Sequence, residues 1–277
     1  MTGPAPAPLR VLVLGSGFRG GSRSVAALRR AGHDVVCGVM PGGPHQRSRH
    51  TVAPVRVPPT RTAEWVEAYC RTHDVDVVLP TTEDLTRALA LAGDGLTVTV
   101  AGPDAAQYAA LCDKAGLGAT CARADVGHPR TYVDGAVPPG ESLPLPAIVK
   151  TSGSGEDGDA DFPVLLATTA RDRDTRLAAM AAAGVGAVVQ EVITGPAWVL
   201  HGVRDRDGHC PLAAALAVTT WPRDAGVSSV TRVMPGADAL ARTATPLLDA
   251  VDYVGPWCIN GFERDGRLVV HDVNLRV

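Results

Sequence analysis

Across residues 9–100, short apolar runs alternate with segments of helical periodicity, and this alternation limits the possible folds more than any other feature of the chain. Strands are expected over 9–14, 34–37, 55–57, 75–79 and 96–101, and helices over 22–31, 62–72 and 82–91. Strand–helix alternation of this kind builds a parallel sheet covered by helices on both faces.

The fold class expected here is α/β, a Rossmann-like domain over 9–102 preceded by a short disordered lead-in over 1–8. Its first turn, Gly15-Ser16-Gly17-Phe18-Arg19-Gly20, matches GxGxxG between a strand and a helix, the context of a dinucleotide fingerprint. That fingerprint also needs an acidic residue at the end of the second strand to hold a ribose. Here the strand runs Val35-Val36-Cys37-Gly38-Val39-Met40 and offers no carboxylate. Two readings stand: a glycine-rich turn that packs a strand on a helix, and an NAD-dependent oxidoreductase.

At 277 residues the chain is long enough for two domains. A formal net charge of −3 gives no electrostatic case for nucleic acid or an anionic membrane. No apolar run approaches the ~20 residues of a membrane span. The first residues, MTGPAPAPLR, lack the basic segment and apolar core of a signal peptide. Six cysteines (Cys37, Cys70, Cys112, Cys121, Cys210, Cys258) are scattered without CxxC or zinc spacing, and read as reduced thiols of a cytoplasmic protein.

From Gly102 the pattern changes to α+β. A helix is expected through 105–111 and on towards Ala115, with Asp113 and Lys114 near its end. A Pro- and Gly-rich stretch, 127–146, is expected as loop with a short strand near 131–133. Strand 146–150 delivers Lys150 to its edge, and Thr151-Ser152-Gly153-Ser154-Gly155-Glu156-Asp157-Gly158 follows directly. Such a loop can fold its backbone N–H groups around phosphate oxygens. Further strands are expected at 162–167, 187–191, 198–204, 212–220 and 228–233, and helices at 171–183 and 235–251.

The last 23 residues, 255–277, contain two apolar runs, 257–262 and 268–273, around Glu263-Arg264-Asp265-Gly266, a hairpin signal with Asp-Gly as the turn. Alternation along the second strand puts Asp272 and Asn274 on one face, with Arg276 following. A carboxylate, an amide oxygen and a guanidinium suit a hard cation and the phosphate it carries. The chain has only two lysines, Lys114 and Lys150, against 24 arginines. Lysine differs from arginine as a compact point charge that reaches between phosphate oxygens.

Taken in order, these marks resemble the ATP-grasp superfamily over nearly the whole chain: DKAGL at Lys114, PAIVKTSGSG at Lys150, VVQEVITG at 188–195 and HDVNLR at 271–276. The resemblance implies a two-lobed ATP-grasp fold after the Rossmann-like domain, with a first lobe over 103–190 and a second over 191–277. It implies ATP and Mg²⁺ as cofactors. Lys114, Lys150, Ser152, Gly153, Ser154, Gly155, Gln190, Glu191 and Val192 would hold the nucleotide. Asp272 and Asn274 would hold the metal, and Arg276 with Lys150 would act on the transferring phosphoryl group. The implied activity is carboxylate–amine ligation through an acyl phosphate on an amino acid or small metabolite acid, with a homodimer expected from the family.

The chain departs from the family at four points. Asp272 stands where Glu is usual, Gly261 where an acid or amide precedes Phe262, Ala197 where an acid follows the hinge, and Leu275 where Pro is usual. These departures motivate a second reading, a nucleotide binder of this fold without ligase activity. Arg204, Arg223 and Arg232 are candidates to grip a substrate carboxylate, with a solvated surface role as the alternative. His33, His201 and His271 are expected as isolated, satisfied or exposed histidines.

Overall fold

The computed structural model describes residues 7–17, 19–41, 53–153, 162–221 and 227–277. The chain forms two compact units, Met1–Ala105 with Leu275–Val277, and Ala106–Asn274. The expected lead-in, apart from residues 7 and 8, lies outside the described residues.

The first unit is built from β1 (Arg10–Leu14), α1 (Arg19–Arg30), β2 (Asp34–Val39), β3 (Val55–Arg56), α2 (Thr62–Thr72), β4 (Val77–Pro80), α3 (Glu83–Ala92) and β5 (Thr99–Val100). Its sheet has the order β3-β2-β1-β4-β5, and every neighbouring pair is parallel. Alternation along β1 explains the layering. Leu12 and Leu14 pack with Val66 and Cys70 of α2 and Leu85 and Leu89 of α3, whereas Val11 and Val13 pack with Val25 of α1. Burial on both faces is why this strand reads as an unbroken apolar run. Each such side chain contributes about 1.5–3 kcal/mol on burial.

The glycine-rich turn serves this packing. Ser16 donates to the Gly38 carbonyl oxygen through both its amide, at 3.0 Å, and its hydroxyl, at 3.1 Å. A side chain at Gly21 would stand 2.4 Å from the Gly15 carbonyl oxygen, so α1 approaches the turn closely only because Gly21 has none. The Ser16 amide is therefore committed to β2 rather than turned outward.

The second unit carries two antiparallel sheets. One contains β6 (Thr131–Val133), β7 (Ala147–Thr151), β8 (Leu165–Ala167) and β9 (Ala187–Glu191) in the order β6-β9-β7-β8. Tyr132, Val149 and Val189 of this sheet form a core with Met180 of the helix over Ala170–Ala182. The other sheet contains β10 (Ala197–Arg204), β11 (Leu212–Trp221), β12 (Val227–Val233), β13 (Gly255–Arg264) and β14 (Arg267–Asn274) in the order β12-β11-β10-β13-β14. The expected closing hairpin is present. Asp265 and Gly266 at its turn have φ of 52° and 72°, the two positive values that a tight two-residue turn requires.

Two expected helices are divided. The segment 105–115 is not one helix but α4 (Ala105–Leu111) and α5 (Lys114–Arg123). Asp113 caps α5, its carboxylate accepting the Ala115 amide at 2.8 Å, and this local bond competes with continuation of α4. A Cβ on Gly116 would meet the Ala109 carbonyl oxygen at 2.1 Å, so the start of α5 folds back onto α4. The second expected helix, 235–251, is two short turns, Asp238–Ala241 and Pro246–Asp249. Pro246 lacks the amide that would continue the first, and the Thr243 and Thr245 hydroxyls donate to the Leu240 and Arg242 carbonyl oxygens at 2.7 and 3.2 Å.

Cys37, Cys70, Cys112 and Cys121 are buried free thiols, and Cys210 and Cys258 are half-buried and free. No helix among the described residues is long and apolar enough to cross a membrane.

Candidate functional site

The chain's two lysines meet in the second unit. The Asp113 cap places Lys114 at the first position of α5, and the Lys114 amide donates to the Ser152 carbonyl oxygen at 3.0 Å. Ser152 follows directly on β7, which ends in Lys150 and Thr151, so one backbone bond ties both lysine-bearing segments together. Both lysine side chains are buried, at 9 % and 7 % exposure. Burying an ammonium is costly unless charge and hydrogen bonds compensate it.

The compensation comes from the closing hairpin. Lys150 Nζ donates to the His271 carbonyl oxygen at 3.1 Å. That carbonyl is available because of an irregular register: Asn260 opposes Asp272, but the next residue, Gly261, opposes Val270. His271 is thus the extra residue of a β-bulge, and a bulged residue is left outside the regular ladder. Its ring tilts against Phe262 with centroids 5.2 Å apart.

The bulge corrects one expectation. Simple alternation puts Asn260 on the face opposite residue 261 and makes Gly261 the position of a missing polar side chain. In the structure Asn260 is the residue facing Asp272, and its Nδ2 donates to Asp272 Oδ2 at 3.1 Å. Gly261 cannot carry a side chain without displacement, since a Cβ there would meet Leu268 Cγ and the Val269 carbonyl oxygen at 2.7 Å each. Asn274 Nδ2 donates to the same Asp272 oxygen at 2.8 Å. Asn260, Asp272 and Asn274 are all half-buried, so the cluster remains accessible.

The electrostatics follow from this arrangement. Burial opposes ionisation of Asp272, but Lys150, then Lys114 and the Asn274 amide, outweigh it and hold the carboxyl below its usual range. His271 is pushed down to about 4 by burial and by Lys150. His128, just before β6, is pushed down to about 4 by the same two causes in the same order. Among the described residues His128 Nε2 is buried and has no hydrogen-bond partner. His271 is thus no isolated surface histidine. Asn260, one of two residues (with Glu263) that the sequence offers in place of the missing side chain at Gly261, is the one that meets Asp272, whereas His128 is not apparent from the sequence. A histidine in a Gly-Pro setting carries no positional signal, and a bulge depends on packing across two strands.

The remaining candidates are distributed as follows. Gln190 is buried at 3 % exposure and its Nε2 donates to Thr131 Oγ1 at 2.9 Å. The Glu191 carboxylate accepts the Arg130 amide at 3.0 Å, and its own amide donates to the Arg130 carbonyl oxygen at 3.0 Å. Val192 follows β9 and is half-buried. The Ser152 amide donates to the Gly186 carbonyl oxygen at 2.9 Å, whereas Gly153 is exposed. Ser154 and Gly155, with Glu156 and Asp157, lie outside the described residues, as does Arg223. Arg276 falls in the first unit, where its Nε donates to Glu83 Oε2 at 3.1 Å. Arg204 binds Asp249 Oδ1 at 2.7 Å and the Tyr253 carbonyl oxygen at 2.8 Å, which fixes β10 rather than offering a free guanidinium. Arg232 is exposed.

This donor set suits an oxygen-rich anion accompanied by a hard cation. Two buried ammoniums attract phosphate oxygens, while one carboxylate and two side-chain amides present the oxygen ligands that Mg²⁺ accepts. The residues therefore fit a nucleotide polyphosphate with magnesium.

No family model matches the sequence, and no curated protein matches it. Solved structures do match in fold. An L-amino acid ligase from Bacillus licheniformis superposes with a TM-score of 0.76 at 13 % identity, over 98 % of this chain and 69 % of the ligase. An ADP complex of N5-carboxyaminoimidazole ribonucleotide synthetase gives 0.70 at 13 % identity, over 99 % and 72 % of the two chains. D-alanine–D-alanine ligase from Bacillus anthracis gives 0.63 at 12 % identity, over 97 % and 87 %. At such identities the likeness is one of fold.

Proposed function

We propose that this chain, which has the ATP-grasp fold, is an ATP-dependent carboxylate–amine ligase. The observation that carries the reading is the convergence of the only two lysines, both buried, on the Asn260–Asp272–Asn274 cluster. The ligase names of several fold neighbours support it. In this reading the parallel-sheet unit is the Rossmann-like domain that precedes the grasp lobes. The lobes divide near residue 190, where Gln190, Glu191 and Val192 would meet the base.

The reaction has two balanced steps. A substrate carboxylate oxygen attacks the γ-phosphorus of ATP, the bond to the bridging oxygen breaks and ADP leaves with that electron pair. An amine then attacks the carbonyl carbon of the acyl phosphate, inorganic phosphate leaves and the amine proton is lost. Lys114 and Lys150 neutralise the α- and β-phosphates, which is most of what phosphoryl transfer asks of a protein. Asp272 and Asn274 would hold Mg²⁺, which when bound withdraws charge from the phosphate oxygens. In this reading Ser152 and Gly153 would hold phosphate oxygens, and Arg276 would act on the transferring phosphoryl group. The unpartnered His128 nitrogen would regain a hydrogen bond, since leaving it unpaired costs about 1–3 kcal/mol. The acid and amine are small molecules of the amino-acid class.

One observation favours the second reading, a nucleotide binder without ligase activity: the residue opposite Asp272 is an amide rather than an acid. A screen of pooled amino acids for ADP release separates the two. The ligase reading expects Mg²⁺-dependent ADP release in at least one pool, lost in Lys150→Met. ATP binding with no release in any pool supports the binder.

A further inference from the structure

We propose that His128 reads the base of the bound nucleotide, its Nε2 accepting a hydrogen bond from the exocyclic amine of adenine. This contact rests on the nucleotide reading above, in which Gln190, Glu191 and Val192 meet the base, and adds a side chain that selects it.

His128 stands just before β6 with its ring against α5, where a Cβ on Gly118 would meet Cε1 at 3.3 Å and Nδ1 at 3.4 Å. The imidazole bonds to the Pro129 backbone. Proline offers only a carbonyl there, so the ring is the donor. The donating nitrogen is Nδ1, because Nε2 has no hydrogen-bond partner among the described residues. A neutral imidazole carries one N–H, which leaves Nε2 as a buried acceptor. Three ionisable groups face the ring: Glu191 of β9, Lys150 of β7 and His271 of β14. Burial, followed by Lys150, keeps the ring neutral at neutral pH, so Nε2 keeps its lone pair.

A buried acceptor without a partner is costly, and only a ligand that brings a donor removes the cost. The triphosphate brings none, since its oxygens are themselves acceptors. The donors of ATP are the ribose hydroxyls and the amine of the base. Glu191 is near enough for its charge to act on His128, which puts the ring at the base end of the nucleotide. Inosine triphosphate has a carbonyl where adenine has the amine, and would set one acceptor against another. A site that hydrogen-bonds a group rejects the analogue lacking it, because the buried partner is then left unpaired.

Equilibrium dialysis of the full chain with Mg²⁺ at neutral pH, against ATP, inosine triphosphate and 2′-deoxy-ATP, tests this in the wild type, His128→Leu and His128→Gln. The wild type is expected to prefer ATP to inosine triphosphate by about tenfold or more. His128→Leu has no acceptor and is expected to lose about tenfold of that preference, mostly through weaker ATP binding. His128→Gln restores an acceptor and is expected to keep more of the preference than His128→Leu. A merely structural role for His128 would weaken all three nucleotides alike with their ratios unchanged, and that result overturns the proposal. So does a wild type that retains ATP and inosine triphosphate equally, whether or not the variants fold; the nucleotide reading survives both results. If His128→Leu loses a preference for ATP over 2′-deoxy-ATP while the preference over inosine triphosphate stays intact, Nε2 meets the ribose and the base contact is overturned. Retention of none of the three overturns the nucleotide reading, and this inference with it.

Discussion

Asn260 Nδ2 donates to Asp272 Oδ2 at 3.1 Å across the closing hairpin, a contact that exists only because His271 bulges out of the strand ladder. The bulge has two consequences. It turns Asn260 towards Asp272, and it sends the His271 carbonyl to Lys150. A hydrogen bond to a charged group contributes about 1.5–3 kcal/mol, so Asn260→Ala is expected to lower the unfolding free energy by about that amount. Urea unfolding at neutral pH, with the slope unchanged, checks it.

Lys150 and Asp272 should be energetically coupled. Removing one member of a buried charge pair leaves the other uncompensated and costs about 3–5 kcal/mol. Lys150→Met alone is expected to destabilise the protein on that scale, discounted because Asp272 is only half-buried. Asp272→Asn in the same chain is expected to recover part of the loss. A double-mutant cycle by denaturant unfolding measures the coupling, and strict additivity would count against the pair.

Asp113 positions Lys114 from a distance of one residue. Asp113→Ala removes the N-cap of α5 and is expected to cost about 0.5–2 kcal/mol, with Asp113→Asn costing much less because an amide oxygen also caps. Nucleotide affinity should follow the same order, Asp113→Ala weakest, if the cap sets where Lys114 stands. Unfolding and ATP titrations on the two variants check both statements.

The histidines give the protein an acid limb. His128 is held neutral by burial and by Lys150, with its pKa pushed from 6.5 down to about 4. Above pH 6.5 the folded and unfolded chains carry the same charge at this residue. As pH falls from 6.5 to about 4 only the unfolded chain takes up the proton, so stability drops through that window and levels off below it. His128→Phe is expected to lose less stability between pH 7 and pH 4.5 than the wild type. Equal losses in the two proteins would remove His128 from this account.

Much of this was legible in the sequence, and the rest was not for identifiable reasons. The parallel sheet follows from strands that are apolar on both faces, such as 11–14, because burial on both faces leaves a direct trace in composition. The two lysines stand out by scarcity alone, and the hairpin announces itself through Asp265-Gly266. Where α4 ends was hidden, because the helical periodicity of 105–115 continues while a side-chain cap at Asp113 and a close contact at Gly116 decide the break. The break near Thr243 and Pro246 was signalled by proline yet outweighed by the apolar pattern on either side. The bulge was invisible because register depends on packing between strands: Gly261 reads as a missing acid until Leu268 and the Val269 carbonyl are seen to occupy its side-chain space.

In the proposed site the two buried lysines and the Asp272 cluster bind a nucleoside triphosphate with its cation. Isothermal calorimetry of ATP with Mg²⁺, on the wild type and on Lys150→Ala, tests it most directly. The expected result is saturable ATP binding that Lys150→Ala weakens by roughly 1–3 kcal/mol, as loss of a charge-assisted contact should. No heat with ATP, together with binding of NAD(H), would contradict it and move attention to the Gly15–Gly20 turn.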